Sequence, residues 1–81
     1  MIPDRTYDFN VVFQPAEEGG YNVFVPSLPG CVTQGETLDE AKRMAEEAIA
    51  LYCESLISDG LSIPETTGEF IGHVAVKIQP A

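Results

Sequence analysis

Residues that commonly bind metals or act as nucleophiles are scarce in this 81-residue sequence. It has one histidine, His73, and two cysteines, Cys31 and Cys53, with neither CxxC spacing nor a histidine cluster. A zinc site or a redox-active cysteine pair is therefore not indicated, and both thiols are expected to be buried and reduced. We expect neither a bound metal nor another cofactor.

Basic residues are also few. Four lysines and arginines stand against 13 acidic residues, which gives a formal net charge of -9. Such a chain repels phosphates, so a direct nucleic-acid partner is not expected, whereas a basic protein would be attracted. Solubility alone is a sufficient explanation for the same charge.

No apolar run is long enough to span a bilayer, and residues 1–6 lack the apolar core of a secretory signal. We therefore expect a cytoplasmic protein with no membrane association. The length fits one small domain over residues 1–81. Its apolar fraction of 44% and charged fraction of 21% are ordinary for a globular protein.

The stretch over residues 25–41 joins a strand-like half of the chain to its one convincing helix. Pro26 and Pro29 end the strand that precedes them, because proline has no amide to donate to a central ladder. Gly35 then ends a further short strand. Thr37 and Glu40 fit a capping box, in which the Thr37 hydroxyl accepts from the Glu40 amide and the Glu40 carboxylate accepts from the Thr37 amide.

Apolar residues alternate with polar ones in two segments, 7–14 and 21–25, which are separated by turn residues. This period predicts a hairpin of two antiparallel strands, each with one face toward the core. A brief third strand is predicted at 32–34. In the first strand the inner residues are Tyr7, Phe9, Val11 and Phe13, and the outer residues are Asp8, Asn10, Val12 and Gln14.

A helix is predicted from Leu38 to Asp59, because apolar residues recur there at helical spacing and Gly60 fits the position after its end. Met44 and Leu51 lie at the edge of the apolar stripe, where they could complete the core or face a second subunit. Alternation from Phe70 to Ile78 predicts a last strand covered on both faces. The expected fold is α+β, in the order β-β-β-α-β, with an antiparallel sheet and one long helix packed on one face.

The sequence contains no arrangement typical of catalysis. Its serines lack a G-x-S-x-G context. The acidic pairs at 17–18, 39–40 and 46–47 consist of adjacent residues, which point in different directions on a helix, whereas a metal site needs carboxylates that converge. An enzyme is therefore disfavoured, and the acids are expected on solvated faces.

One block of residues resembles a known family in both identity and spacing. It reads Tyr21-x-Val-x-Val-Pro-x-Leu-Pro-Gly-Cys-x-Thr-x-Gly-x-Thr-x-x-Glu-Ala, and an alanine-rich helix and the segment Gly60 to Pro64 follow it. The family is the HicB antitoxin-like family, and the resemblance covers nearly the whole chain. It implies a stand-alone HicB N-terminal-type domain with a β-β-β-α-β unit similar to a truncated RNase H fold.

The resemblance implies a role in binding protein. HicB proteins neutralise HicA toxins, which are small basic ribonucleases, by covering them, and an acidic domain suits such a partner. Many antitoxins of the family also carry a C-terminal DNA-binding segment; this chain ends at Ala81 without one, so direct DNA contact is not expected. RNase H activity is not implied either, because Asp8 is the sole acid within the predicted strands.

The leading hypothesis is a non-enzymatic module that forms a homo-dimer or tetramer and sequesters a HicA-like toxin. The alternatives are an orphan homo-oligomeric domain and a weak metal-dependent RNase H-like nuclease, which would need three or more carboxylates converging at one end of the sheet. Phe24 would be an exposed aromatic residue unless a partner, the chain's own tail or a second copy covers it. The predicted contact surface consists of Asp8, Asn10, Asn22, Phe24, Pro26, Leu28 and Pro29.

Overall fold

The computed structural model describes residues 5–66, 68 and 70–80. Three strands precede one helix, and the strands form an antiparallel sheet in the order β1-β2-β3. The α+β class with a three-stranded meander and one long helix is therefore confirmed, while similarity to RNase H stays a prediction. The elements are β1 (Val12–Pro15), β2 (Tyr21–Phe24), β3 (Val32–Gly35) and α1 (Leu38–Ser58).

The inner face of the sheet carries a row formed by Phe13, Val23 and Thr33, which lie directly opposite one another in the register. Val23 is 2% exposed and clusters with Ala41 and Ala45 of α1, with Phe13 packed against them. Because directly paired residues point to the same side of a sheet, this row defines the face that the helix covers. The alternation in the sequence predicted that face correctly.

Strand β1 is shorter than predicted. Pairing begins at Val12 rather than at Tyr7, because β2 ends at Phe24 and the chain turns away at Pro26. The residues before β1 nevertheless keep the predicted alternation, since Phe9 packs against the buried cluster of Val25, Leu28 and Cys31. The loss of pairing is local and leaves the apolar side of this segment in the core.

The helix lies very close to the sheet at Gly35, the last residue of β3. A Cβ atom at this position would lie 2.5 Å from the backbone nitrogen of Ala41 and 2.6 Å from its Cα. No side chain fits there, and Ala41 and Ala45 present only a methyl group each toward the strands. The sequence predicts merely a strand break at Gly35, whereas the structure adds a close approach of two backbones.

Both ends of α1 are capped by local hydrogen bonds. The Thr37 hydroxyl accepts from the Glu40 amide at 3.1 Å, as predicted. The Glu40 carboxylate accepts from the amide of Glu36 at 2.9 Å rather than from Thr37, because both amides are free donors ahead of the helix and the side chain reaches the earlier one. At the other end Gly60 has φ of +73°, and the Leu61 amide donates back into the last turn at 2.8 Å.

The predicted last strand, Phe70 to Ile78, is wrong for the single chain. The described residues of this segment belong to no strand or helix, and none of its large apolar side chains is covered. An extended segment becomes a strand only when a neighbour supplies hydrogen bonds, and the sheet that the structure describes ends at β1 and β3. Alternation alone cannot supply that neighbour.

The close approach at Gly35 predicts that Gly35→Ala lowers the free energy of unfolding by about 1 to 3 kcal/mol, the usual cost of overpacking. Gly72→Ala is the control, because a Cβ atom there would meet Phe70 at an ordinary 3.7 Å. That change should alter stability by about 0.5 kcal/mol or less. Urea unfolding followed by far-UV circular dichroism compares the variants at one protein concentration. Equal stability of both variants would contradict the contact.

Candidate functional site

The face of the sheet turned away from the helix carries two rows of side chains. The first row is apolar and consists of Val12, Phe24 and Val32, which lie opposite one another across the three strands. Phe24 is 38% exposed and Val32 is 67% exposed. An exposed apolar patch with polar neighbours is typical of a surface that binds protein. The second row is polar and consists of Gln14, Asn22 and Gln34.

Of the predicted contact residues in the loop after β2, two lie at the surface and one lies in the core. Pro26 and Pro29 are exposed, but Leu28 is fully buried and packs with Val25 and Cys31. This corrects the prediction for Leu28, which cannot contact a partner from the core. Its burial stabilises the fold by about 1.5 to 3 kcal/mol, which outweighs any tendency of the short loop to stay at the surface.

The helix residue Tyr52 holds this loop in place. Its hydroxyl donates to the carbonyl of Pro29 at 2.8 Å, and the loop is closed by bonds from the Cys31 amide to Leu28 at 2.9 Å and from the Val25 amide to Cys31 at 3.2 Å. Sequence reasoning placed Tyr52 only on the apolar stripe. The hydroxyl group of Tyr52 could have indicated this contact, because a partly buried tyrosine hydroxyl usually finds a hydrogen-bond partner.

Before β1, the chain's own connection after the helix contacts two predicted contact residues, Asp8 and Asn10. The Thr66 amide donates to the Asp8 carbonyl at 2.8 Å, and the Asn10 amide donates to the Thr66 hydroxyl at 3.0 Å. The Asp8 amide donates to the Glu65 carboxylate at 3.0 Å. The amide and carbonyl of Asp8 and the amide of Asn10 are therefore already satisfied within the chain.

The same connection carries an ion pair between Glu65 and Arg5. The hydrogen bond from the Asp8 amide, followed by the Arg5 guanidinium, lowers the pKa of the Glu65 carboxyl. The Arg5 guanidinium also lies over the Tyr7 ring, 4.3 Å from its centroid. This arrangement favours the ionised carboxylate and ties the N-terminal part of the chain to the segment that follows the helix.

The described residues hold little that could perform chemistry. Burial raises the pKa of the thiols of Cys31 and Cys53, which are both free, so each stays protonated and poorly nucleophilic. Among residues 5–66, 68 and 70–80, no three histidine, cysteine, aspartate or glutamate side chains are placed to hold a metal ion. The nuclease alternative therefore lacks its converging carboxylates in that part of the chain. In the same residues, α1 is too polar to cross a membrane.

Sequence comparison identifies the protein family of this chain. Residues 9–75 match the family described as "HicB_like antitoxin of bacterial toxin-antitoxin system". The chain belongs to this family. The resemblance identified from the Tyr21 to Ala41 block is thereby confirmed, and the chain is a HicB-like domain.

Relatives of this HicB-like domain occur in bacteria and archaea. A UPF0150 protein of Synechocystis is 41% identical over 65 residues, which cover 80% of this chain and 82% of that protein. A UPF0150 protein of Archaeoglobus fulgidus is 42% identical over 71 residues, which cover 88% and 94%. Antitoxin HicB 1 of Photorhabdus laumondii is 41% identical over 56 residues, which cover 69% of this chain and 36% of that longer protein.

The hydrogen bonds of Glu65 predict a pH-dependent effect of Glu65→Gln. Because the pKa of this carboxyl is lowered in the folded state, its ionised form stabilises the fold above the ordinary glutamate pKa of about 4.3, and that contribution is lost as the pH falls through the folded-state pKa. The variant should be less stable than the parent at neutral pH, and the difference should shrink in acid.

Urea unfolding near neutral pH and below about pH 3 measures this difference. Glu47→Gln is the control, because Glu47 is exposed on α1 and makes no hydrogen bond to the connection after the helix. A stability difference for Glu65→Gln that persists unchanged in acid would contradict the assigned role of the carboxylate.

Proposed function

We propose that this HicB-like domain is a non-enzymatic antitoxin module that sequesters a HicA-type toxin ribonuclease. The apolar row of Val12, Phe24 and Val32 on the helix-free face of the sheet, in which Phe24 and Val32 are exposed, carries the proposal. Membership of the antitoxin family supports a toxin partner in general terms. The identity of the toxin and the surface that it contacts are our inference.

Charge and apolar contact have separate parts in this proposal. A formal charge of -9 attracts a small basic protein and accelerates encounter, an effect that salt weakens. Charged pairs at an exposed rim add little affinity, so the bound state depends on the apolar row and on Phe24 in particular. Added salt should therefore mainly lower the association rate constant, and truncation of Phe24 should mainly raise the dissociation rate constant.

The proposed contact surface is continuous. Asn22 and Phe24 lie on the same side of β2, and Pro26 follows this strand after one residue, Val25, in the loop that Tyr52 fixes. A loop already held in place loses little conformational freedom on binding, which favours affinity. The surface comprises the predicted residues Asp8, Asn10, Asn22, Phe24, Pro26 and Pro29, with Leu28 removed and Val12 and Val32 added.

The proposal predicts that Phe24→Ala weakens inhibition of the HicA-type ribonuclease of the same organism by at least about tenfold, the usual cost of losing an aromatic anchor. Leu51→Ala is the matched control. Leu51 is 68% exposed on the helix, on the far side of the domain from the apolar row. The control should inhibit as well as the parent.

Inhibition is measured as residual RNA cleavage while the purified ribonuclease is titrated with each variant, at about 0.05 M and about 0.5 M salt. The parent should inhibit more strongly at the lower salt concentration. A parent chain that fails to inhibit at either concentration would contradict the proposed function. Equal inhibition by Phe24→Ala and Leu51→Ala would contradict the contact surface alone.

A further inference from the structure

Hydrogen bonds of the first hairpin fix the side to which each backbone group of β1 points. The Ala16 amide donates to the Gly20 carbonyl at 3.0 Å, directly beyond the turn end of the register between β1 and β2. Hydrogen-bonded pairs alternate along an antiparallel ladder, so the backbone groups of Gln14 and Val12 also point toward β2. Alternate residues of this strand therefore direct their backbone groups to the side of β2.

The same alternation extends to the residues before β1. Asp8 and Asn10 lie four and two residues before Val12, so their backbone groups point to the side of β2 as well. At this level β2 has ended, because its last residue is Phe24 and Pro26 has no amide to donate. Another part of the chain must therefore supply hydrogen bonds if this segment is to stay in line with β1.

Glu65 and Thr66 take the place of β2 beyond its end. The Thr66 amide donates to the Asp8 carbonyl, and the Asn10 amide donates to the Thr66 hydroxyl. The Asp8 amide donates to the Glu65 carboxylate. The hydroxyl and the carboxylate thus accept where the carbonyls of a neighbouring strand would accept. Residues 8–10 are held in line with β1 in this way, although they belong to no strand.

This alignment turns the Asp8 side chain toward the helix-free face of the sheet. Side chains alternate along an extended segment, and Phe9 packs inward on a buried cluster, so Asp8 points outward as Val12 does. Asp8 is exposed. At about 3.3 Å per residue, it lies roughly 13 Å from Val12 along the strand direction. Asp8 is therefore a rim residue of the proposed contact surface, whose centre is the apolar row.

Asp8 also carries a charge that the rest of this surface lacks. The apolar row and the polar row of the helix-free face contain no ionisable side chain. The neighbouring Glu65 is paired with Arg5, which balances its charge. In the part of the chain that the structure describes, this is the one ion pair, so the Asp8 carboxylate has no cationic partner there. A carboxylate of this kind at an interface rim attracts a lysine or arginine and repels an acidic side chain.

We propose that Asp8 is the charged contact of this surface, that it pairs with a lysine or arginine of the toxin, and that Glu65 and Thr66 position it. This inference rests on the proposed function, because the toxin is the partner. Charges at a rim act chiefly on the association rate and on the register of the two proteins. Asp8 therefore sets the orientation in which a basic partner meets Phe24, and Thr66 acts as a positioning residue.

The proposal predicts that Asp8→Asn slows association with the HicA-type ribonuclease more than Glu47→Gln does. Each change removes one negative charge from the formal charge of -9, and Glu47 is exposed on α1. Steering by net charge alone would affect both variants equally. In about 0.05 M salt, Asp8→Asn should lower the association rate constant about threefold to fivefold and Glu47→Gln by less than about 1.5-fold. The difference should disappear in about 0.5 M salt.

The positioning role of Thr66 is tested in the same stopped-flow experiment, with fluorophore-labelled ribonuclease. Thr66→Val removes the hydroxyl and keeps the amide, so it should lower the association rate constant by about twofold or more in low salt. Thr66→Ser keeps the hydroxyl and should match the parent. Adding Thr66→Val to Asp8→Asn should cause no further decrease, because the charge that Thr66 positions is already absent. A merely structural role would lower the rate equally with and without that charge.

The outcomes separate this inference from the proposed function. A parent chain that fails to bind the ribonuclease would overturn both. A parent that binds, with equal effects of Asp8→Asn and Glu47→Gln, would overturn the role of Asp8 and leave the proposed function intact. Effects of Thr66→Val and Asp8→Asn that simply add would overturn the positioning role of Thr66.

Discussion

The contact between the backbone of α1 and the end of β3 at Gly35 sets the position of everything else in the domain. Because Gly35 has no side chain and Ala41 has only a methyl group, the helix packs closely against the sheet. The same placement brings Tyr52, about three turns further along the helix than Ala41, within hydrogen-bond distance of Pro29. A larger residue at the contact would move the helix and the loop together.

This arrangement divides the sheet into a stabilising face and a free face. The helix covers the row that includes Val23, and it leaves the row that includes Phe24 exposed. A chain of 81 residues buries a modest share of its surface, and Leu28 and Val23 are the largest fully buried side chains that the structure describes. Association through the free face would therefore add stability by mass action as well as function.

Features governed by local rules could be predicted from the sequence. The Thr37 cap, the Gly60 helix end and the alternation that turns Phe24 outward each depend on residues a few positions apart. Features that depend on distant residues could not be predicted in the same way. Leu28 is buried because Tyr52 and the rest of α1 close over its loop, and Phe70 to Ile78 lacks a strand partner within the described chain. Alternation is a property of one segment, whereas pairing requires two.

The most direct test of whether the helix-free face of the sheet binds the partner is a map of amide chemical-shift changes. These changes are recorded when the purified HicA-type ribonuclease is added to the labelled domain. We predict the largest changes at Val12, Phe24 and Val32 and in the loop between Pro26 and Pro29. The exposed side of α1, around Lys42 and Glu46, should change little. Changes concentrated on that side of the helix, or none at saturating ribonuclease, would contradict the assignment of the free face as the binding surface.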